Sequence, residues 1–281
     1  MKSRFLFFKF YSNFSKKPNL CSKHSNMNRD TLIGLAIAFL AVLFVLFQPK
    51  TNQPPPEIPD PLHRQPFRAN YGTPLIDGMA DDAAWQSAEW LPLDQVWIGQ
   101  PPAADDFSGR YKVLWDENNL YVLAEITDDT LLDIRPDGLL KYWDDDCLEI
   151  FVDEDASGGE HQYNYNAFAY HIALDGKVAD IGPDQQPHYY DDHCTVRRVT
   201  SGNTSTWEVA MKIFDGNKYS DDGDNIPKML KAGEKMGFAL AYCDNDHSPE
   251  RENFIGSVLV EGVDKNRGWI DAGIFGVFTL Q

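Results

Sequence analysis

The chain has 281 residues and carries 25 lysine and arginine against 43 aspartate and glutamate side chains, a formal charge of −18. Eight of the basic residues but only one acid lie within residues 1–50, which leaves 17 basic and 42 acidic side chains for the rest. So acidic a region repels a phosphate backbone, which excludes nucleic acid as a partner. Its hydrophobic content excludes disorder, and its three cysteines exclude a disulfide-based scaffold.

The N-terminal region predicts a membrane anchor. The unbroken apolar run Leu32–Phe47 is long for a signal peptide and slightly short for a full span. No small-residue cleavage site follows the run, which favours a transmembrane anchor over residues 31–48, with a cleaved signal as the alternative. The basic excess before the run predicts that residues 1–30 are cytoplasmic and that the domain faces the periplasm or the extracellular space. Met27 is an alternative start, since residues 1–26 show no apolar periodicity.

Residues 49–66 predict a linker between the anchor and the domain. Prolines occur repeatedly here among polar residues. A segment of this composition favours the extended polyproline conformation and acts as a semi-rigid spacer. We therefore expect it to hold residues 67–281 away from the membrane.

Residues 67–281 show the pattern of short β-strands separated by Gly, Pro and Asp turns. In Cys147–Val152 the alternation predicts Glu149 on the outer face, and in Trp207–Ile213 it does the same for Glu208. Helical periodicity is limited to one short turn at Asp81–Ala88. The pattern predicts an all-β fold, a single antiparallel β-sandwich of jelly-roll or immunoglobulin-like type. The predicted strands include Tyr111–Trp115, Leu120–Ile126, Cys147–Val152, Asn166–Leu174, Trp207–Ile213, Phe238–Cys243, Phe254–Val260 and Phe275–Leu280.

Two tryptophans lie in polar loops rather than in apolar strands. Trp143 is followed by three aspartates and then by Glu149 on the next strand, while Trp269 follows Asn266 just before the last strand. An indole flanked by carboxylates and amides suits a pyranose ring, whose C–H face stacks on the indole while its hydroxyls form hydrogen bonds. The alternative is that each tryptophan caps an end of the sandwich.

Seven segments together resemble the family 9 carbohydrate-binding modules, which are β-sandwich modules attached to some xylanases. The resemblance extends over about Ile76–Leu280 and depends on the order and spacing of the segments. They are IDGMADDAAW (Ile76–Trp85), YKVLWDENNLYVLAEITDD (Tyr111–Asp129), YWDDDCLEIFVDED (Tyr142–Asp155), TWEVAMKI (Thr206–Ile213), MGFALAYCDND (Met236–Asp246), RENFIGS (Arg251–Ser257) and WIDAGIFGVFTL (Trp269–Leu280).

The resemblance implies a non-catalytic module in which two tryptophans sandwich a sugar ring. By motif position these are Trp143 and Trp269. The resemblance also implies that Glu149 accepts hydrogen bonds from sugar hydroxyls, and that Asn266 and Arg251 lie in the same site. A mono- or oligosaccharide is thus the expected ligand, which connects the module with polysaccharide catabolism.

One stretch departs from the family pattern. The family has an arginine-containing strand where this chain reads Asn166–His171, and no arginine is present there. This departure leaves the ligand open, including any preference for the reducing end of a sugar. Asn166 is the residue we expect to replace part of the missing contact.

The resemblance further implies structural calcium, which prefers the hard carboxylate oxygens that Asp-rich turns provide. No turn matches the EF-hand loop, and no Cys/His spacing suits zinc. The candidate turns are Asp77 with Asp81 and Asp82, Asp153–Asp155, Ser220–Asn225 and Asp244–Asp246.

Three other functions remain as alternatives. A glycosidase is possible on spacing, because residues two apart on a strand lie within reach of paired catalytic carboxylates, but the chain lacks length for a separate catalytic domain. A haem-binding sandwich needs axial His or Met ligands, but there is no C-x-x-C-H attachment. In a protein-binding domain the tryptophan pair would form the centre of the interface. The candidate haem ligands are His161, His171, His188, His193, His247, Met211 and Met236.

Overall fold

The computed structural model describes residues 67–135 and 137–281, which form fourteen β-strands and two short 3-10 turns, at Ala83–Ser87 and Ala272–Ile274. The all-β prediction is thus confirmed, and the turn at Ala83–Ser87 lies within the predicted helical segment. The strands are β1 Phe67–Tyr71, β2 Leu91–Leu93, β3 Gln95–Ile98, β4 Phe107–Trp115, β5 Leu120–Asp128, β6 Cys147–Asp153, β7 Phe168–Ala173, β8 Val178–Ile181, β9 Pro187–Tyr189, β10 Cys194–Ser201, β11 Thr204–Met211, β12 Lys235–Asp244, β13 Asn253–Gly256 and β14 Gly276–Leu280.

The strands form two sheets. In the first sheet the order is β10-β11-β5-β4, and both β1 and β2 pair with the free edge of β4. In the second sheet the order is β14-β12-β6-β7-β8-β9, with β13 also on β12 and β3 on β13. The predicted hairpin over residues 111–126 is β4 with β5, which pair antiparallel.

The strand β1 connects the two sheets, and among the described strands its two pairings are where the antiparallel prediction is wrong. Residues 67–69 of β1 pair with β14 in the second sheet, and residues 70–71 pair with β4 in the first, both in parallel orientation. Parallel partners need a long connection between them, and β14 is the last strand of the chain. No local sequence pattern reports a pairing over such a distance.

The main core lies between the inner faces of the two sheets. Alternate residues of β6 supply Leu148, Ile150 and Val152, and β11 supplies Trp207 and Val209, all buried in one cluster. These are the residues that the alternation predicted to point inward. Burial of this apolar surface is the main force that holds the sheets together.

The outer faces of both sheets are covered as well, which the alternation did not predict. Glu149 and Glu208, expected on outer faces, do lie there but are 2% and 0% exposed. Glu208 accepts hydrogen bonds from the backbone N–H groups of Asp77 and Gly78 and from Nε1 of Trp85, at 2.7–3.0 Å. The segment before β2 is thereby anchored on the first sheet.

In the described part of the chain no helix is long and apolar enough to cross a membrane. The predicted anchor, the linker and the alternative start at Met27 all fall within residues 1–66, outside the described residues.

Candidate functional site

Glu149 lies in the middle of β6 on the outer face of the second sheet. The register places it opposite Ala241 of β12 and His171 of β7. Its Oε1 atom lies 3.1 Å from Nε2 of His171. A buried carboxylate needs such partners, since an unpaired charge away from water is strongly unfavourable. Glu149 is therefore held in one orientation.

Arg251, just before β13, connects Glu149 with Asn266. Its Nη2 donates to Oδ1 of Asn266 at 2.9 Å, and its Nη1 lies 3.9 Å from Oε2 of Glu149. The guanidinium carbon lies 4.0 Å from the ring centroid of Phe254, which fixes the plane of the group. The structure thus brings together three of the predicted site residues from distant parts of the sequence.

His171 completes this polar group, although the sequence patterns did not assign it to the sugar site. Its Nδ1 lies 3.0 Å from the carbonyl oxygen of Ala169, while Nε2 faces Glu149. Both ring nitrogens face acceptors, an arrangement that favours the doubly protonated imidazolium. Burial alone lowers the pKa of His171, but the facing Glu149 carboxylate outweighs it, and the pKa is raised above its usual value. The cross-strand register to Glu149 is the signal that identifies this residue.

Trp143 lies on the loop before β6, and 38% of its surface is exposed. The aspartates that follow it hold this loop in place instead of facing solvent. Oδ2 of Asp145 accepts from the backbone N–H of Arg135 at 2.8 Å, and Oδ1 of Asp146 accepts from that of Asn245 at 2.8 Å. The indole is thus an exposed platform on a loop that the Asp145 and Asp146 hydrogen bonds hold in position.

Trp269 lies half-buried on the loop before β14, and His161 holds this loop. Nε2 of His161 donates to the carbonyl oxygen of Gly268 at 2.7 Å, and its backbone N–H donates to Ile270 at 2.8 Å. A Cβ at Gly268 would lie 2.9 Å from the ring of Phe151, so only glycine fits this close approach. Like Trp143, Trp269 sits on a loop with a defined position.

Asn166 is not brought to this group. Its side-chain Nδ2 donates to the carbonyl oxygen of Gly158 at 2.8 Å, where it ties two loops together. The register pairs Val152 with Phe168 and Glu149 with His171, so Asn166 lies beyond the far end of β7. β7 begins two residues later, at Phe168, and at about 3.3 Å per residue the strand separates Phe168 from His171 by roughly 10 Å. The structure gives Asn166 a loop-bracing contact instead of one with the polar group.

Residues 76–281 match the family described as carbohydrate family 9 binding domain-like. The chain belongs to this family. The resemblance found in the sequence is thereby confirmed, and so is the expectation of a non-catalytic module, because a family 9 domain is a binding module and not an enzyme. The glycosidase alternative for residues 76–281 is set aside on this ground.

The family 9 domain is similar to part of a much longer xylanase. Endo-1,4-beta-xylanase A from Thermotoga neapolitana is 39% identical over 214 residues, which are 75% of this chain but 17% of the xylanase. The chain therefore spans less than a fifth of the length of the xylanases that it matches over 214 residues. Two structures of a family 9 module from Caldicellulosiruptor kristjanssonii, in complex with glucose and with cellotriose, share its fold with TM-scores of 0.55 and 0.53. They are 21% identical, and each match covers 76% of this chain and 95% or 93% of that module.

Carboxylates of the family 9 domain gather in three places within its described residues. Asp128, Asp244 and Asp246 bring one oxygen each within 4.8 Å of one another, and Asp246 does the same with Asp106 and Asp129. The third group is the predicted turn Asp153–Asp155. The other predicted turns, at residues 77–82 and 220–225, form no such group among the described residues.

The group around Asp244 fits a calcium ion. Asp244 is 2% exposed, and its Oδ1 and that of Asp246 are buried without a hydrogen-bond partner in the described part of the chain. Burial and the neighbouring Asp128 raise the pKa of Asp244 to about 7, and the same two causes raise that of Asp146 to about 9. These buried carboxylate oxygens lack donors, and the neighbouring carboxylates oppose their negative charge. A hard cation would supply the missing partner and offset that charge.

Proposed function

We propose that residues 67–281 bind a glucose-containing saccharide, with one ring stacked between Trp143 and Trp269. The complexes of the solved relatives with glucose and cellotriose support this ligand class. The observation that carries the proposal is that Arg251 joins Glu149 and Asn266 in one polar group, through an ion pair with Glu149 and a hydrogen bond to Asn266.

Both tryptophans connect to that polar group. The ring of Tyr142 lies edge to face with Trp143 at 5.1 Å and with His171 at 4.6 Å, and His171 contacts Glu149. On the other side, Asn266 lies on the same loop as Trp269 and accepts from Arg251. The arrangement offers apolar platforms for the C–H faces of a ring and fixed donors and acceptors for its hydroxyls.

A calorimetric titration of the full chain with glucose, cellotriose and xylotriose tests the proposal. We expect saturable binding of at least one sugar, weakened by about tenfold or more in Trp143→Ala and in Trp269→Ala, because each removes one face of the stack. Trp90→Ala is the matched control, since Trp90 packs against Arg110 on the first sheet. No binding by the folded chain, or equal losses in all three variants, would reject the proposal.

We further propose that residues 31–48 anchor the module in a membrane and display it outside the cytoplasm, where it captures oligosaccharides. The apolar run and the basic residues before it support this orientation. Expression with and without residues 1–50 tests it: the full chain should resist alkaline extraction from the membrane fraction. Release of the full chain by that treatment would contradict the anchor.

Calcium is the one bound ion that we propose for this module, held by Asp128, Asp244 and Asp246. Its role would be structural: it would neutralise the carboxylates at the ends of β5 and β12. Asn245 lies between two of these ligands, and its side-chain oxygen accepts a hydrogen bond from the backbone N–H of Ser248. Its side-chain nitrogen donates to the carbonyl oxygen of Asp144, the residue next to Trp143. An ion here would therefore stabilise the loop that carries Trp143.

A further inference from the structure

Two buried cysteines lie directly opposite each other on the outer face of the second sheet. β6 and β12 are antiparallel, and their register pairs Cys147 with Cys243. The two side chains belong to the same buried cluster, and both cysteines are free. The Cβ atoms of directly opposed residues lie about 4.5–5.5 Å apart in such pairs, and disulfides need about 3.5–4.5 Å. A small local adjustment therefore suffices to join them.

The polar group of the sugar site touches one of these thiols. Nη1 of Arg251 donates to Sγ of Cys243 at 3.0 Å, and Sγ lies 3.8 Å from Oε2 of Glu149. In the folded chain burial alone raises the pKa of Cys243, but the neighbouring Cys147 thiol and the charge of Arg251 outweigh it and lower the pKa. A thiolate is the form that attacks disulfides, and in the folding chain, before these contacts form, either thiol of the pair can supply it.

We propose that Cys147 and Cys243 form a cross-strand disulfide beneath the sugar-binding group when the chain folds in the presence of a disulfide oxidant. The thiolate of one cysteine attacks one sulfur of glutathione disulfide and displaces one glutathione thiolate. The other cysteine then loses its proton to solvent and attacks the sulfur of the first, and the second glutathione leaves. Two protein thiols are oxidised to one disulfide, and one glutathione disulfide is reduced to two glutathiones.

The third cysteine of the domain has no place in this reaction. Cys194 is on β10 in the first sheet, where the register sets it opposite Met211. The pair on the second sheet therefore resolves the odd number of cysteines in residues 67–281 into one disulfide and one remaining thiol. Because Cys147 and Cys243 are 1% and 0% exposed, oxidation belongs to folding, before the covering loops close.

Closure of the disulfide changes the contacts of Arg251. A disulfide sulfur carries no charge and accepts hydrogen bonds poorly, so Nη1 of Arg251 loses a partner and is available to a sugar hydroxyl. Since this step rests on the proposed function, it has its own readout. We expect the oxidised chain to bind the sugar about tenfold more tightly than the reduced chain, which is the effect of one added hydrogen bond to a charged group.

Refolding of the full chain tests the disulfide. The reduced chain, unfolded in urea, is refolded in glutathione buffers of increasing disulfide content. It is then quenched with acid, unfolded again in urea, alkylated there with iodoacetamide so that buried thiols also react, and digested without reduction. We expect the peptides with Cys147 and Cys243 to appear crosslinked by mass spectrometry, while Cys194 is alkylated. Cys194→Ser should leave the crosslink unchanged, and Cys147→Ser should abolish it.

Alkylation of both Cys147 and Cys243 in every buffer, in chain with native circular dichroism, would overturn the proposal. A crosslink with equal sugar affinity in both redox forms would overturn the effect on Arg251. If neither the oxidised nor the reduced chain binds sugar, the proposed function and the Arg251 effect are both contradicted. The crosslinked peptide still decides by itself whether the disulfide forms.

Discussion

At the scale of single residues, the site depends on a buried ionised group whose members neutralise one another. Glu149 is opposed by His171 from β7 and by Arg251 from the loop before β13. Arg251 is charged at every accessible pH, but a histidine changes its charge near neutrality. The pairing of Glu149 with His171 is therefore the part of the site that responds to pH.

We expect His171 to make the stability of the fold depend on pH above neutrality. An unfolded histidine has a pKa of about 6.5, and the folded pKa of His171 is raised, with Glu149 as the raising cause. Its contribution is thus fully present below about pH 6.5 and is lost as the pH rises through the folded pKa. Urea unfolding across this range should show a loss of about 1 kcal/mol that His171→Gln lacks.

The comparison between wild type and variant is needed because Cys243 and Asp180 lie near His171 and titrate as well. His188→Gln provides the comparison for a more exposed histidine: His188 lies 2.9 Å from Asp184, and the slope of this variant is measured in the same way. An identical slope in wild type and His171→Gln would show that the pKa of His171 is the same in the folded and unfolded states, and would contradict the raised pKa.

Most residues of the candidate site could be predicted from the sequence because each belongs to a motif, whereas the contacts between these residues could not. Trp143 and Glu149 share one motif, so spacing alone locates them. His171 acts through a cross-strand register with Glu149, and no spacing within one segment reveals a register. Asn166 was predicted from its place in the stretch that lacks the family arginine; it lies two residues before β7, and its side chain donates to the carbonyl oxygen of Gly158.

At the scale of secondary-structure elements, alternation predicted which face a residue occupies but not what covers that face. Glu208 shows the consequence, since it lies on the outer face of β11 and is fully buried by the segment before β2. The sequence motif at residues 76–85 is therefore explained by anchoring: two backbone N–H groups and one indole N–H all reach the same carboxylate. Such a contact joins segments that are distant in sequence, so no local pattern contains it.

We expect Glu208→Gln to destabilise the fold by about 1–3 kcal/mol. The amide nitrogen that replaces one oxygen would face an N–H donor, so at least one buried donor loses its acceptor. The loss should appear as a lower urea midpoint, with sugar affinity unchanged, because Glu208 lies on the first sheet and the polar group on the second.

Glu125→Gln provides the control on the neighbouring strand β5. Glu125 pairs with Arg110 across an exposed surface, and such pairs contribute about 0–1 kcal/mol. A destabilisation by Glu208→Gln no larger than that of Glu125→Gln would mean that the segment before β2 is held by its apolar contacts around Trp85 alone.

At the scale of the whole molecule, the large negative charge is partly concentrated at one place. Aspartates from the loop before β4, from the end of β5 and from the end of β12 converge there: Asp106, Asp128, Asp129, Asp244 and Asp246. Asp-rich turns are visible in the sequence, but convergence depends on the order of strands. Only one part of this group, Asp244–Asp246, was among the predicted calcium turns, because the acidic pairs at residues 105–106 and 128–129 are distant from it in sequence.

We expect calcium to raise the unfolding temperature of the full chain, and Asp244→Asn to abolish this effect. At free calcium about a hundredfold above its Kd, binding adds about 2.7 kcal/mol, or roughly 5–10 °C for a domain of this size. Calorimetry in calcium and in EDTA measures the shift in unfolding temperature.

Two controls accompany this prediction. In EDTA, Asp244→Asn should be at least as stable as wild type, since the substitution removes one of several mutually repelling charges. Asp222→Asn, on an exposed turn, should keep the full calcium shift. An equal rise in unfolding temperature in Asp244→Asn would show that calcium binds at another site. No rise in wild type would show that these carboxylates do not bind calcium.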